Sequence, residues 1–125
     1  MEDNHPANYQ RLQALIAELS GSLPGTMQAF KGLHKQATAD GALDRKTKEL
    51  IALGMALSIN CSGCVAYHVK QALESGASRE EILEAVGVAV MMGGGPAVVY
   101  GCEALAALDQ FLAERNLRTR ASAPC

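Results

Sequence analysis

The sequence predicts an all-α domain, and three observations carry that prediction. Alanine accounts for 21 of the 125 residues, Leu, Met, Glu and Lys are also frequent, and β-branched residues gather only around residues 86–99. Side chains that lose little freedom in a helix therefore dominate. Apolar residues recur at spacings of three and four, and cap residues sit where helices of ordinary length would start and stop.

Leu12, Leu15, Ile16 and Leu19 mark a first helix, short and peripheral, ended by Gly21 and Pro24. Pro24 suits the first turn of a second helix, with an apolar face of Met27, Phe30, Leu33 and Ala37 and a stop near Asp40-Gly41. Asp44 can cap a third helix, because its carboxylate accepts from free first-turn amides. Lys48 and Glu49 follow, and then residues 50–57, Leu-Ile-Ala-Leu-Gly-Met-Ala-Leu, are apolar on every helical face. Such a segment is expected to be buried on all sides as the core helix.

Asn60-Cys61-Ser62-Gly63 breaks that pattern, and a fourth helix is expected over Ser62–Glu74, closed by Ser75 and by Gly76 as its C-terminal cap. The third and fourth helices then form an antiparallel hairpin with the cysteine pair at the start of its second helix. Ser78-Arg79-Glu80-Glu81 is a capping box that opens a fifth helix, running through Ile82, Leu83, Val86 and Val90 to Met91-Met92. Gly93-Gly94-Gly95 turns the chain into a sixth helix opened by Pro96. Its expected face is Val99, Cys102, Ala106 and Asp109, with Leu105, Leu108 and Leu112 alongside.

A chain of 125 residues, 49% hydrophobic, is expected to hold one core and one domain over residues 1–125. The net charge of -2, with arginines gathered only at Arg115, Arg118 and Arg120, gives no footprint for nucleic acid. The N-terminus, Met1-Glu2-Asp3-Asn4-His5-Pro6, lacks the basic start and apolar stretch of a secretory signal, so a cytoplasmic location is expected. The uncharged residues 85–102 are interrupted by glycines and Pro96, so no membrane span is expected. Several helices are apolar around most of their circumference, which a small domain cannot hide. A homo-oligomer is expected, the alternative being a monomeric bundle with an unusually apolar surface.

Of four cysteines, two form Cys61-Ser62-Gly63-Cys64. Such a pair can cycle between dithiol and disulfide, supply half of a zinc site, or pack inertly, and spacing alone does not choose. A structural zinc site needs four ligands, and nothing in the chain repeats the spacing, so no metal is expected. Position at a helix start favours redox chemistry over inert packing, since free amides there stabilise a thiolate.

His68 follows Cys64 by four residues and shares its helical face. A neutral imidazole there can take the thiol proton, directly or through water, and the imidazolium then stabilises the thiolate. A merely packing histidine is the alternative. Glu49 leads into the apolar segment. In a hairpin turning near residue 60, His68 lies level with about residue 53, placing Glu49 roughly 6 Å further along the axis. Two long side chains can bridge that distance, so Glu49 can orient His68. The alternative is a solvated first-turn carboxylate. The three glycines lack the Lys, Ser or Thr of a phosphate loop. Tyr100 and Cys102 are read as packing groups, and His5, His34 and Cys125 as surface or terminal residues.

Glu49, then Cys61 twelve positions on, then Cys64 and His68, followed by Glu74-Ser75-Gly76-Ala77-Ser78-Arg79-Glu80-Glu81-Ile82, resemble the carboxymuconolactone decarboxylase family. The likeness is to its alkylhydroperoxidase (AhpD-like) branch and covers about residues 33–112. The resemblance implies an all-helical fold in trimers or hexamers, with the redox site near a subunit interface. It implies that Cys64 is the cysteine oxidised by peroxide, Cys61 its partner thiol, and Glu49 and His68 the proton relay. One position departs: the best-known enzymes of the branch carry histidine immediately before the second cysteine, where this chain has Gly63.

The expected function is a thiol peroxidase without metal or flavin, regenerated by an external dithiol, which the resemblance implies to be a lipoyl group or a thioredoxin-like carrier. Two other readings stand beside it. One is a non-enzymatic oligomer that responds to redox state, and the other is a non-redox reaction of the decarboxylase kind in the same fold.

Overall fold

A computed structural model describes residues 4–122. Among the described residues there are six α-helices and no strand: α1 (His5–Ser22), α2 (Pro24–Thr38), α3 (Arg45–Ser58), α4 (Ser62–Glu74), α5 (Arg79–Gly93) and α6 (Gly95–Ser122).

The expected caps are formed. The Asp44 side chain accepts from the Thr47 amide at 2.8 Å. The Ser78–Glu81 capping box is closed from both sides, at 3.1 Å and 2.9 Å. Gly76 adopts φ +93°, a left-handed conformation that glycine enters without a Cβ penalty. Ala77 N then bonds Ala72 O and Gly76 N bonds Leu73 O, satisfying carbonyls at the end of α4. Asn60, with φ +59°, makes the sharp turn between α3 and α4, a conformation that its short polar side chain tolerates.

The core lies among α3, α4, α5 and α6, where Leu53, Leu57, Val65, Val69, Ile82, Leu108 and Phe111 are fully enclosed. The α3–α4 hairpin is its centre, with α5 and α6 closing over it. Helix α1 lies across α6 and α4, and α2 folds back onto α1 and touches α3.

Four expectations are corrected. The first helix is not short: it runs 18 residues from a cap at Asn4, with Pro6 inside its first turn. It is peripheral in that no residue of it is fully buried, yet Tyr9 reaches the core. Helix α3 is not buried on all sides, because Ile51 is 48% and Met55 64% exposed. Those two side chains line a groove of about 520 Å³ between α3 and α5, with Val88 and Met92 on the far wall.

On α2 the side that lines the cleft is Met27, Phe30, Lys31 and His34, Phe30 remaining 60% exposed, whereas Leu33, 65% exposed, lies off that cleft. On α6 the buried face is Ala97, Gly101, Ala104, Ala107, Leu108 and Phe111, leaving Val99, Cys102 and Asp109 outside. Small residues let α6 approach α5 closely: a Cβ at position 101 would sit 3.1 Å from Val86 Cγ1. The same face buries Leu108 and Phe111, two of the largest enclosed side chains.

Candidate active site

Cys61 caps α4 and Cys64 lies in its first turn. The two are joined as a disulfide, with Cα atoms 5.1 Å apart, inside the range that such a bond requires. The first-turn amides of α4 and the positive end of its dipole face this end of the helix, so a thiolate formed here on reduction is stabilised.

One turn further along α4, His68 Nδ1 lies 3.2 Å from Glu49 Oε2. Glu49 has no exposed surface at all, so the hairpin register has carried a carboxylate into the core beside the imidazole. With Glu49 as a carboxylate, which only accepts, Nδ1 donates in this contact and Nε2 is left as the ring nitrogen with a free lone pair. A solvated first-turn role for Glu49 is thereby overturned.

The other oxygen of Glu49 faces a residue read from sequence as a surface histidine. His34 Nε2 lies 3.7 Å from Oε1, and both atoms are buried without a hydrogen-bond partner. Sequence reasoning missed His34. The available signal was its place in the series Met27, Phe30, Lys31, His34, a helical stripe that lines the cleft.

Tyr67 stands between the two imidazoles, edge-on to His68 with centroids 5.1 Å apart and edge-on to His34 at 6.2 Å. Burial, and secondarily the charge of Glu49, push its phenol above the usual tyrosine range.

These groups open on a cleft of about 510 Å³ between α1, α2 and α4. Leu12, Ile16, Met27 and Phe30 form its apolar wall, with His34 on the same helix as Met27 and Phe30, and both cysteines, Tyr67 and His68 line the other side. Gly63 lies at the same edge, where an added Cβ would meet only Leu12 Cδ2 at an ordinary 3.8 Å. Packing therefore does not demand glycine there. Cys102 is exposed and free, and Cys125 lies outside the described residues. Among the described residues no group of three or more His, Cys, Asp or Glu is arranged to hold a metal ion. Nor is any described helix long and apolar enough to cross a membrane.

Fold and site together define an all-helical protein whose disulfide-forming cysteine pair is backed by a buried imidazole–carboxylate pair. The sequence pattern of the carboxymuconolactone decarboxylase family matches residues 24–107, and the chain belongs to that family. It is 43% identical over 91 residues to an uncharacterised protein of Cupriavidus necator, covering 73% of this chain and 80% of that one.

Among solved structures, a carboxymuconolactone decarboxylase family protein from Legionella pneumophila superposes with a TM-score of 0.83 at 41% identity, covering 88% of this chain and 98% of that one. A member of the family from Thermotoga maritima, for which a part in the antioxidative response has been suggested, superposes with a TM-score of 0.68 at 31% identity. That likeness covers 73% of this chain and 94% of that one.

Proposed function

We propose that the protein is a thiol-dependent peroxidase of the alkylhydroperoxidase-like branch, cycling Cys61 and Cys64 between dithiol and disulfide. The observation that carries this reading is the Cys61–Cys64 disulfide at the head of α4, one turn from a histidine held by a buried carboxylate and opening on the same cleft.

In the reduced protein His68 takes the proton of the Cys64 thiol, and the Glu49 carboxylate stabilises the imidazolium. The thiolate attacks the terminal oxygen of a hydroperoxide. A sulfur–oxygen bond forms, the oxygen–oxygen bond breaks, and the alkoxide leaves as alcohol with the proton held by His68. The Cys61 thiol then attacks the sulfenic sulfur of Cys64, forming the disulfide and releasing water.

Two thiols are thus oxidised and one hydroperoxide is reduced by two electrons. An external dithiol of the lipoyl or thioredoxin-like kind returns the electrons and protons by exchange. The cycle calls on no metal or flavin, and it suits a reducing compartment such as the cytoplasm.

The same reading includes a homo-oligomer. Groove and rim between α3 and α5 expose Ile51, Met55, Ile59, Val88, Met91 and Met92, and among the described residues no charged one lines the groove. A second copy presenting the same uncharged surface is the occupant that covers it.

The test follows hydroperoxide loss catalysed by the protein with excess dithiol. Turnover is expected in the wild type and lost in Cys64→Ser; equal turnover in that variant contradicts the assignment. Hydroperoxide loss that survives removal of both Cys61 and Cys64 contradicts the dithiol cycle, whereas a decarboxylase-type reaction that survives it points to non-redox chemistry in the same fold. A change of assembly on oxidation without peroxide loss points to a redox-responsive oligomer.

A further inference from the structure

We infer that His34 is a positioning residue for the dithiol site, acting through Glu49, so that one carboxylate is gripped by two histidines from different helices. The inference rests on the redox reading of Cys61 and Cys64 and adds to it a residue from outside the cysteine motif.

Glu49 is wholly buried, and a carboxylate offers two oxygens that both need donors in such a place. Oε2 has one in His68 Nδ1 at 3.2 Å. Oε1 has none, and the buried polar atom beside it is His34 Nε2 at 3.7 Å, which also lacks a partner. Two unpartnered buried atoms of complementary type, one movement of about 0.5 to 1 Å short of a hydrogen bond, are not accidental neighbours at the floor of a reactive cleft. Contacts around a reacting group are commonly long in the resting protein and tighten when substrate or charge arrives.

Helix α2 supplies the motion. Among its residues none is fully buried, and it touches α3 less than α4, α5 or α6 does, so His34 can approach Glu49 without repacking the core. His34 itself is 31% exposed in its side chain, with Nε2 turned inward. The titratable groups facing Glu49 are His34 from α2 and Tyr67 and His68 from α4. Arg45, one turn earlier on α3, is engaged with Gln71 instead.

With Nε2–H donated to Oε1, both oxygens are fixed and Oε2 stays aimed at His68. The imidazolium formed when His68 takes the Cys64 proton then meets a carboxylate that cannot swing away. His34 therefore supports thiolate formation without touching the hydroperoxide.

The test measures the ionisation of the Cys64 thiol in the reduced protein, by thiolate absorbance or by the pH dependence of alkylation, in a Cys61→Ser background. This readout exists whether or not hydroperoxide is turned over, so failure here is distinguishable from failure of the peroxidase reading. His34→Ala is expected to raise the thiol midpoint by about one unit, a tenfold effect. His34→Gln, whose amide nitrogen can occupy the place of Nε2, is expected to restore most of the shift. In a Glu49→Gln background His34→Ala is expected to add nothing. If His34→Ala leaves the midpoint in place, or shifts it equally with and without Glu49, the inference is overturned. Circular dichroism confirms that each variant keeps its helices.

Discussion

His68 Nδ1 lies 3.2 Å from Glu49 Oε2, across 19 residues of sequence and the turn between α3 and α4. This contact fixes the hairpin register at the point where the chemistry needs it: the imidazole is oriented by a fully buried partner, and one turn back the helix begins with the cysteine pair.

Glu49→Gln keeps the shape of the side chain and removes its charge. Peroxide turnover is expected to fall by about a hundredfold, within the range that positioned acid–base groups contribute, while the helical content stays unchanged. Steady-state assays with an organic hydroperoxide and excess dithiol check this. Wild-type turnover in the variant contradicts the role given to the carboxylate.

Phe111 ties the outer helices to the core. Its ring stands perpendicular to Tyr9 of α1 at 5.8 Å, and Lys70 Nζ of α4 lies 5.2 Å from its centroid. Phe111→Ala is expected to cost about 3 to 5 kcal/mol, from lost burial and the cavity left behind. Denaturant unfolding measures it, and a loss under about 1 kcal/mol is the contrary result.

The groove between α3 and α5 gives a test of assembly. Met55→Lys places a charge in the apolar surface that a second copy would cover, at a position 64% exposed in the chain itself. The wild type is expected to sediment as an oligomer and the variant as a monomer with unchanged helicity. A monomeric wild type contradicts the proposal.

Acid should weaken the fold in a defined way. Contact with Lys46 at 2.8 Å, and then the Ser78 amide that it caps, hold the Glu81 carboxyl below the usual carboxylate range. Thr47 does the same for Asp44. A carboxyl depressed in the folded state contributes its stability above the unfolded value and loses it as pH falls through the folded one. The melting temperature is therefore expected to decline between about pH 5 and pH 3, and Glu81→Gln to flatten part of that slope. A flat profile for the wild type is the opposing result.

Much of this site was legible in the sequence because its geometry is local. Cys64 and His68 share one helix that Cys61 caps, where spacing largely dictates facing, and Glu49 is reached through a single tight turn. His34 was not legible as a site residue because the docking of α2 across α3 is a tertiary event. Its stripe also contains Lys31, which disguises it as a solvent face. The buried side of α6 was misread for another reason. An alanine-rich helix with little contrast between its faces has no strongly preferred side, and in the fold Gly101 packs closely against α5 while Leu108 and Phe111 are buried. The same absence of contrast hid the exposed side of α3, where Ile51 and Met55 look like core residues.

The central claim is that Cys64 is the sulfur that attacks the hydroperoxide and Cys61 the one that resolves it. The most direct measurement treats reduced Cys61→Ser and Cys64→Ser proteins with one equivalent of hydroperoxide in the presence of a sulfenic-acid-trapping dione, followed by peptide mass spectrometry. One adduct on Cys64 in the first variant, and no adduct in the second, is the predicted result. An adduct on Cys61 in the Cys64→Ser protein, or none on Cys64 when it stands alone, would contradict the account.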